Sequence, residues 1–133
     1  MLEDYRDAIG RLNVYVDHVA TRRPIHPELV AATLNDLAAK DAIFTVDTGM
    51  CNVWHARYIR ATKERRMLAS YMHGSMANAL PQAIGAQLLY PGRQVISMSG
   101  DGGLAMLMGE LLTILQYDLP AKIVCSTTAH WEW

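Results

Sequence analysis

Two apolar, partly β-branched runs in this 133-residue chain each break off at a glycine-bearing turn and give way to a helix-forming segment, and this repetition narrows the possible folds more than any other feature. Ala42-Ile43-Phe44-Thr45-Val46 runs into Asp47-Thr48-Gly49, and Gln94-Val95-Ile96-Ser97-Met98-Ser99 runs into Gly100-Asp101-Gly102-Gly103. Short runs that are apolar at consecutive positions suit strands buried on both faces, as in a parallel sheet. Strands alternating with helices imply an α/β fold, an open parallel sheet covered by helices.

The rest of the chain fits around these strands. Residues 1–24 are polar, mixed in charge and end in Thr21-Arg22-Arg23-Pro24, which reads as an interdomain linker or an incoming helix. His26-Pro27-Glu28 places a proline where a first helical turn tolerates one, and Leu29, Val30, Leu34 and Leu37 then share a face, so a helix is expected over about 26–39. A second is expected from Asn52 to Arg60, then a short strand from Met67 to Tyr71, the loop His73-Gly74-Ser75-Met76, and an Ala- and Leu-rich helix over 77–90 whose Gly85-Ala86 pair allows close packing. After the Gly100–Gly103 turn a single helix from Leu104 to Gln116 is expected, stopped by Leu119-Pro120 before a last strand opening at Lys122-Ile123-Val124.

Size and composition exclude several classes. A chain this short supports one core, and with 51% hydrophobic and 19% charged residues it reads as a globular domain. Cys51 and Cys125 make neither a disulfide framework nor a zinc site, and MLEDYRDAIG lacks a signal-peptide pattern, so a cytoplasmic location is expected. No segment approaches the ~20 apolar residues of a membrane span.

Gly100-Asp101-Gly102-Gly103 lies where open α/β sheets bind ligands, at the passage from strand to helix. Glycines there let the backbone approach an anion, and the N–H groups opening the helix point at it. A carboxylate beside a phosphate is repulsive unless a cation lies between, so the tetrapeptide suggests metal-bridged diphosphate with Asp101 on Mg²⁺. The alternative is a tight turn in which Asp101 merely caps the helix.

With the other motifs added, the chain resembles the enzymes dependent on thiamine diphosphate, specifically the C-terminal, pyrophosphate-binding domain of the 2-oxoacid decarboxylase and oxidase group. The likeness is carried in order by Asp47-Thr48-Gly49, by Trp54 and Arg57, by the stretch from His73-Gly74-Ser75-Met76 through Asn78, Pro81 and Gly85-Ala86, and by Gly100-Asp101-Gly102-Gly103. Leu2-Glu3-Asp4-Tyr5-Arg6 and Met106-Leu107-Met108-Gly109 are most similar to the pyruvate oxidase, or pyruvate dehydrogenase (quinone), branch, which oxidatively decarboxylates pyruvate.

The resemblance implies roles residue by residue. Gly74 would offer its carbonyl to the aminopyrimidine. Met76, which lies 25 residues before Asp101, would be the apolar wedge that bends the cofactor. Gly49, Met50 and Ser75 would lie near the diphosphate, Gly102 and Gly103 would donate N–H groups to it, and Asp101 would bind Mg²⁺. No catalytic residue is assigned, because the glutamate that activates the pyrimidine belongs to a separate domain, usually of a partner subunit in a homo-oligomer. The flavin (FAD) domain and a quinone acceptor would likewise lie outside these residues. An acetolactate synthase-like or decarboxylase relative shares the same motifs, and a non-catalytic remnant of an inactivated gene is a third reading.

The chain departs from the family after Val124. One or two asparagines should complete the Mg²⁺ site on the last strand, and Thr127 and Thr128 stand there instead. Read one base earlier, the possible codons of residues 125–133 can spell Val-Phe-Asn-Asn-Ser, the family's continuation, so a single-base deletion near the Val124 codon is expected, leaving the domain of residues 25–133 incomplete at its C-terminus. Weak or undetectable thiamine diphosphate affinity and no activity are expected of the isolated chain.

Three further features are read as structural. Arg57, Arg60, Lys63, Arg65 and Arg66 form a solvated basic surface rather than a nucleic-acid patch, since the net charge is −1 and no stacking aromatics accompany the run. His18, His26, His55, His73 and His130 lack metal-ligand spacing and read as surface or loop residues. Glu110 reads as an exposed helix residue.

Overall fold

A computed structural model describes residues 2–127. Six helices surround four strands: α1 (Leu2–Val19), α2 (Pro27–Leu37), β1 (Ile43–Val46), α3 (Met50–Tyr58), β2 (Arg66–Ala69), α4 (Ala79–Leu89), β3 (Val95–Gly100), α5 (Asp101–Met106), α6 (Leu111–Gln116) and β4 (Lys122–Ser126), with a 3₁₀ turn at Met108–Glu110 between the last two helices. All pairings are parallel and the strand order is β2-β1-β3-β4. The expected open parallel sheet with helices is therefore what forms.

The central strands β1 and β3 are buried on both faces, and alternation along β1 shows how. Phe44 and Val46 join Ile96 and Met98 of β3 in a core closed by Val16 of α1, Ala31 of α2, and Tyr58 and Ile59 at the end of α3. Ile43, with Val95, faces the opposite way onto Ala83 and Ala86 of α4. Thr45, on the α4 side, is buried and donates its hydroxyl to the Ala79 carbonyl, which lets a polar residue sit in the layer without an unmet donor. Residues 2–19 form a helix, held by Val16 and Val19.

Several expectations shift on contact with the packing. Of the expected α2 face, Leu29 and Leu34 pack against the core while Leu37 is 78% exposed, and the fully buried positions of the helix are Ala31 and Asn35. Gly85 meets nothing where a Cβ would stand, so close approach of α4 comes from Ala83 and Ala86. Helix α3 starts at Met50, earlier than expected, because Gly49 at φ 134° reverses the chain directly after β1. The single helix expected over 104–116 is two. Its break at Leu107 (φ −127°, ψ 30°) precedes Gly109, in a stretch with no buried side chain to offset glycine's poor helix propensity.

Arg65 is not simply solvated. Its guanidinium donates to Asn35 Oδ1 (2.9 Å) and to the carbonyls of Asn35, Ala38 and Ala39 at the end of α2, and it lies 5.8 Å from the Phe44 ring centroid. Those carbonyls are the ones a helix C-terminus leaves unpaired, which is why a long cation is held there. His55 is buried rather than on the surface, and Glu110 is half-buried, accepting a bond from the Thr113 hydroxyl. β4 continues two residues past Val124, pairing Cys125 with Ser99 and Ser126 with Gly100. Thr128, His130 and the rest of the tail lie outside the described residues.

Candidate functional site

The strand order sets the site's position. From β1 the chain moves out to β2 on one side, then returns across β1 to reach β3 on the other, so the loops leaving β1 and β3 diverge and open a crevice at their carboxyl ends. Asp47-Thr48-Gly49 leaves β1 there and Gly100-Asp101 leaves β3.

On the β1 side, Asp47 extends the strand, its N–H donating to the Met98 carbonyl (2.9 Å), and its side chain is 1% exposed. Oδ1 accepts from the Asn78 N–H (3.0 Å) and Asn78 Nδ2 (3.1 Å), whereas Oδ2 has no hydrogen-bond partner. Thr48 donates its hydroxyl to the Ser75 carbonyl (2.8 Å), and Asn78 Nδ2 reaches the same carbonyl (2.6 Å). Met50, the first residue of α3, is exposed at the rim.

The segment from Ser70 to Asn78 folds over the crevice. Gly74 and Ser75 donate their N–H groups to the Ser70 carbonyl and hydroxyl, and the chain turns through left-handed conformations at Gly74 (φ 64°) and Ala77 (φ 61°). Glycine takes that region freely; alanine does so only when its surroundings impose it. The surroundings here are the two bonds from Asn78 to Asp47 directly after Ala77.

On the β3 side the structure corrects the expected turn. Gly100 is the N-cap, and α5 begins at Asp101 itself, so Gly102 and Gly103 lie within the first helical turn. Asp101 is partly exposed and its Oδ1 accepts the Gly102 N–H (2.8 Å). A Cβ built on Gly103 would stand 2.9 Å from Asp47 Cγ and closer still to Oδ2, so this glycine is required by the buried carboxylate. A Cβ on Gly102 would lie 3.8 Å from Met76 Cε, which puts the half-exposed methionine over the helix opening.

The fold thus brings Ser75 to Thr48, Met76 to Gly102, and Asp47 to both Asn78 and Gly103, while Gly49 and Met50 flank the same crevice from the start of α3. Sequence reasoning had used Asp47, Thr48 and Asn78 only as motif letters. Their signal was local: an acid ending an apolar strand, with a hydroxyl beside it. Cys51 was also missed. Buried under the crevice, it donates its thiol to the Asp47 carbonyl (3.1 Å), and burial pushes its pKa up, so it serves as a donor and not as a nucleophile. On β4, burial and then the charge of Asp101 raise the Cys125 thiol, which places that residue electrostatically beside the carboxylate.

Among the described residues no cluster of three or more His, Cys, Asp or Glu could hold a metal by itself. The donor set instead fits a hard cation that takes one carboxylate, Asp101, and fills its other positions with phosphate oxygens and water. Thr127 is exposed and follows Ser126, the β4 partner of Gly100. Gly100, directly before Asp101, has nothing within 4 Å of where a Cβ would stand, so the backbone there is open.

The family model described as "Thiamine pyrophosphate enzyme, C-terminal TPP binding domain" matches residues 47–132, from the buried acid of β1 onward. The chain belongs to this family. Among curated relatives of this thiamine pyrophosphate-binding domain, a Bacillus subtilis (strain 168) protein described as thiamine pyrophosphate-containing, YdaP, is 38% identical over 108 residues, 81% of this chain and 19% of its own. The acetolactate synthase large subunit of Porphyra purpurea is 44% identical over 100 residues, 75% of this chain and 17% of its own. The pyruvate oxidase of Lactiplantibacillus plantarum (strain ATCC BAA-793 / NCIMB 8826 / WCFS1) is 36% identical over 108 residues, 81% and 18%. The chain spans about a fifth of the length of these relatives. No helix among the described residues is long and apolar enough to cross a membrane.

Proposed function

We propose that this chain is the diphosphate- and Mg²⁺-holding part of a thiamine diphosphate-dependent enzyme that acts on a 2-oxoacid such as pyruvate. The observation that carries the reading is the placement of Met76 against Gly102, beside Asp101 and at the mouth of the β1–β3 crevice. An apolar side chain there can wedge under a bent ligand whose diphosphate would lie on the Gly102 and Gly103 amides once Asp101, which now accepts the Gly102 N–H, turns to the cation. Asp101 would hold the cation, and Gly49, Met50, Gly74 and Ser75 would line the cofactor's path. When bound, thiamine diphosphate supplies a nucleophilic carbon and an electron sink for loss of carbon dioxide from a 2-oxoacid.

Two reactions remain in view, and relatives of both kinds support them. The pyruvate oxidase reading passes the electrons to FAD and onward to a quinone, and the linker-like Leu2–Arg6 stretch favours it. The acetolactate synthase reading is favoured by the Porphyra relative. In both, the pyrimidine-activating glutamate comes from another domain, in keeping with a homo-oligomeric enzyme. The test is complementation: the chain mixed with the pyrimidine-binding domain of a related enzyme should release carbon dioxide from pyruvate in a Mg²⁺-dependent way, and Asp101→Ala should abolish the release. Release by this chain alone would overturn the division of labour proposed here.

A further inference from the structure

Asp47 has a side chain that the diphosphate reading does not use. It is buried and acidic, yet no cation reaches it in the described residues, and what it touches is the two halves of the crevice. One oxygen holds Asn78, at the end of the loop that carries Gly74, Ser75 and Met76. The other lies against Gly103 so closely that no side chain can stand there, and it has no hydrogen-bond partner.

A buried carboxylate with an unmet oxygen is costly, and persists where the surrounding structure gains from it. Here the gain is at Ala77, whose left-handed backbone is unfavourable for alanine and is pinned by the next residue's bonds to Asp47. Asn78 in turn shares the Ser75 carbonyl with Thr48, so the loop is tied to β1 at two points. Through Asp47 the loop and the opening of α5 are held at a fixed spacing, the spacing that sets Met76 over Gly102.

We propose that Asp47 is a positioning residue: its carboxylate couples the Gly74–Asn78 loop to Gly103, so that loop and helix opening close on one ligand as a unit. That the ligand is thiamine diphosphate rests on the reading above; the coupling does not.

The test is amide hydrogen exchange by NMR on the full 133-residue chain, comparing wild type with Asn78→Ala and Asp47→Ala. In Asn78→Ala, exchange at Gly74 and Ser75 should rise about tenfold or more while β3 amides keep their protection, and the Gly103 resonance should move. Asp47→Ala should do the same and also expose the Asn78 N–H; if it fails to fold, Asn78→Ala, which keeps the carboxylate, decides. Equal acceleration of loop and β3, or an unchanged loop, overturns the coupling. A second arm titrates thiamine diphosphate with Mg²⁺ into the chain mixed with the pyrimidine-binding domain of a related enzyme. No site shifts in wild type would sink the cofactor reading and leave the exchange result standing. Shifts in wild type with undiminished affinity in Asn78→Ala would overturn the positioning role, whose expected effect is about a tenfold loss.

Discussion

The carboxylate of Asp47 occupies the space that a side chain on Gly103 would need, although the two residues sit on different elements, one ending β1 and one in the first turn of α5. Its neighbour Gly102 faces only the far end of Met76, at ordinary contact distance.

Two adjacent glycines therefore carry opposite expectations. Gly103→Ala forces the buried carboxylate or the helix to move and should cost about 2–3 kcal/mol, near the upper range for overpacking. Gly102→Ala should be neutral or slightly stabilising, within about 1 kcal/mol. Urea unfolding of the two variants checks both, and equal effects would contradict the packing described. Asp47→Ala in the Gly103→Ala background should recover part of the loss, because it removes the atoms in conflict.

His55 gives the domain a dependence on acid. Its ring is 2% exposed, lies 6.0 Å from the Phe44 ring, and has no hydrogen-bond partner for either nitrogen, so burial alone lowers its pKa from 6.5 to about 4. The unfolded chain then binds the proton more readily than the folded one. Stability is full above the unfolded pKa, falls as pH drops from about 6.5 toward 4, and levels off below that as far as this group is concerned, a loss of order 3 kcal/mol at most. His55→Phe should flatten that part of the profile in thermal melts taken across this range, and an unchanged slope would place the acid sensitivity elsewhere.

Arg65 and Arg66 stand side by side in the basic run but should differ in effect. Arg65→Ala removes four donors from the end of α2 and from Asn35, and should cost about 2–3 kcal/mol. Arg66→Ala, at an exposed position, should stay within about 0.5 kcal/mol. Chemical denaturation of each variant measures the contrast.

The face formed by α5, the 3₁₀ turn and α6 leaves Met106, Met108, Leu112 and Leu115 exposed. Apolar groups gathered in this way promote association, so the chain should self-associate as concentration rises. Sedimentation velocity over a concentration series should show it, and Leu112→Lys with Leu115→Glu should reduce it. Concentration-independent monomer in the wild type would contradict this.

What could be read from the sequence divides along physical lines. The strands and their order of appearance followed from runs such as 42–46 and 94–99, whose burial on both faces leaves an unambiguous apolar pattern. The residues of the glycine turn were identifiable because few chemistries need Gly-Asp-Gly-Gly after a strand. What escaped was set by contacts distant in sequence. The need for Gly103 depends on a carboxylate more than fifty positions earlier, and the burial of His55 depends on how α3 lies on Phe44. Leu37 misled for the same reason, since periodicity marks an apolar face without saying whether anything covers it.

The central claim is that Asp101 binds a divalent ion that also holds a diphosphate, and paramagnetic relaxation by Mn²⁺ in place of Mg²⁺ tests it most directly. With thiamine diphosphate present, Mn²⁺ should broaden the amide signals of Asp101, Gly102, Gly103 and the adjacent end of β4 before any others, and Asp101→Ala should remove that pattern while leaving the fold intact. Broadening centred elsewhere, or a pattern around Gly102 that survives Asp101→Ala, would contradict the assignment.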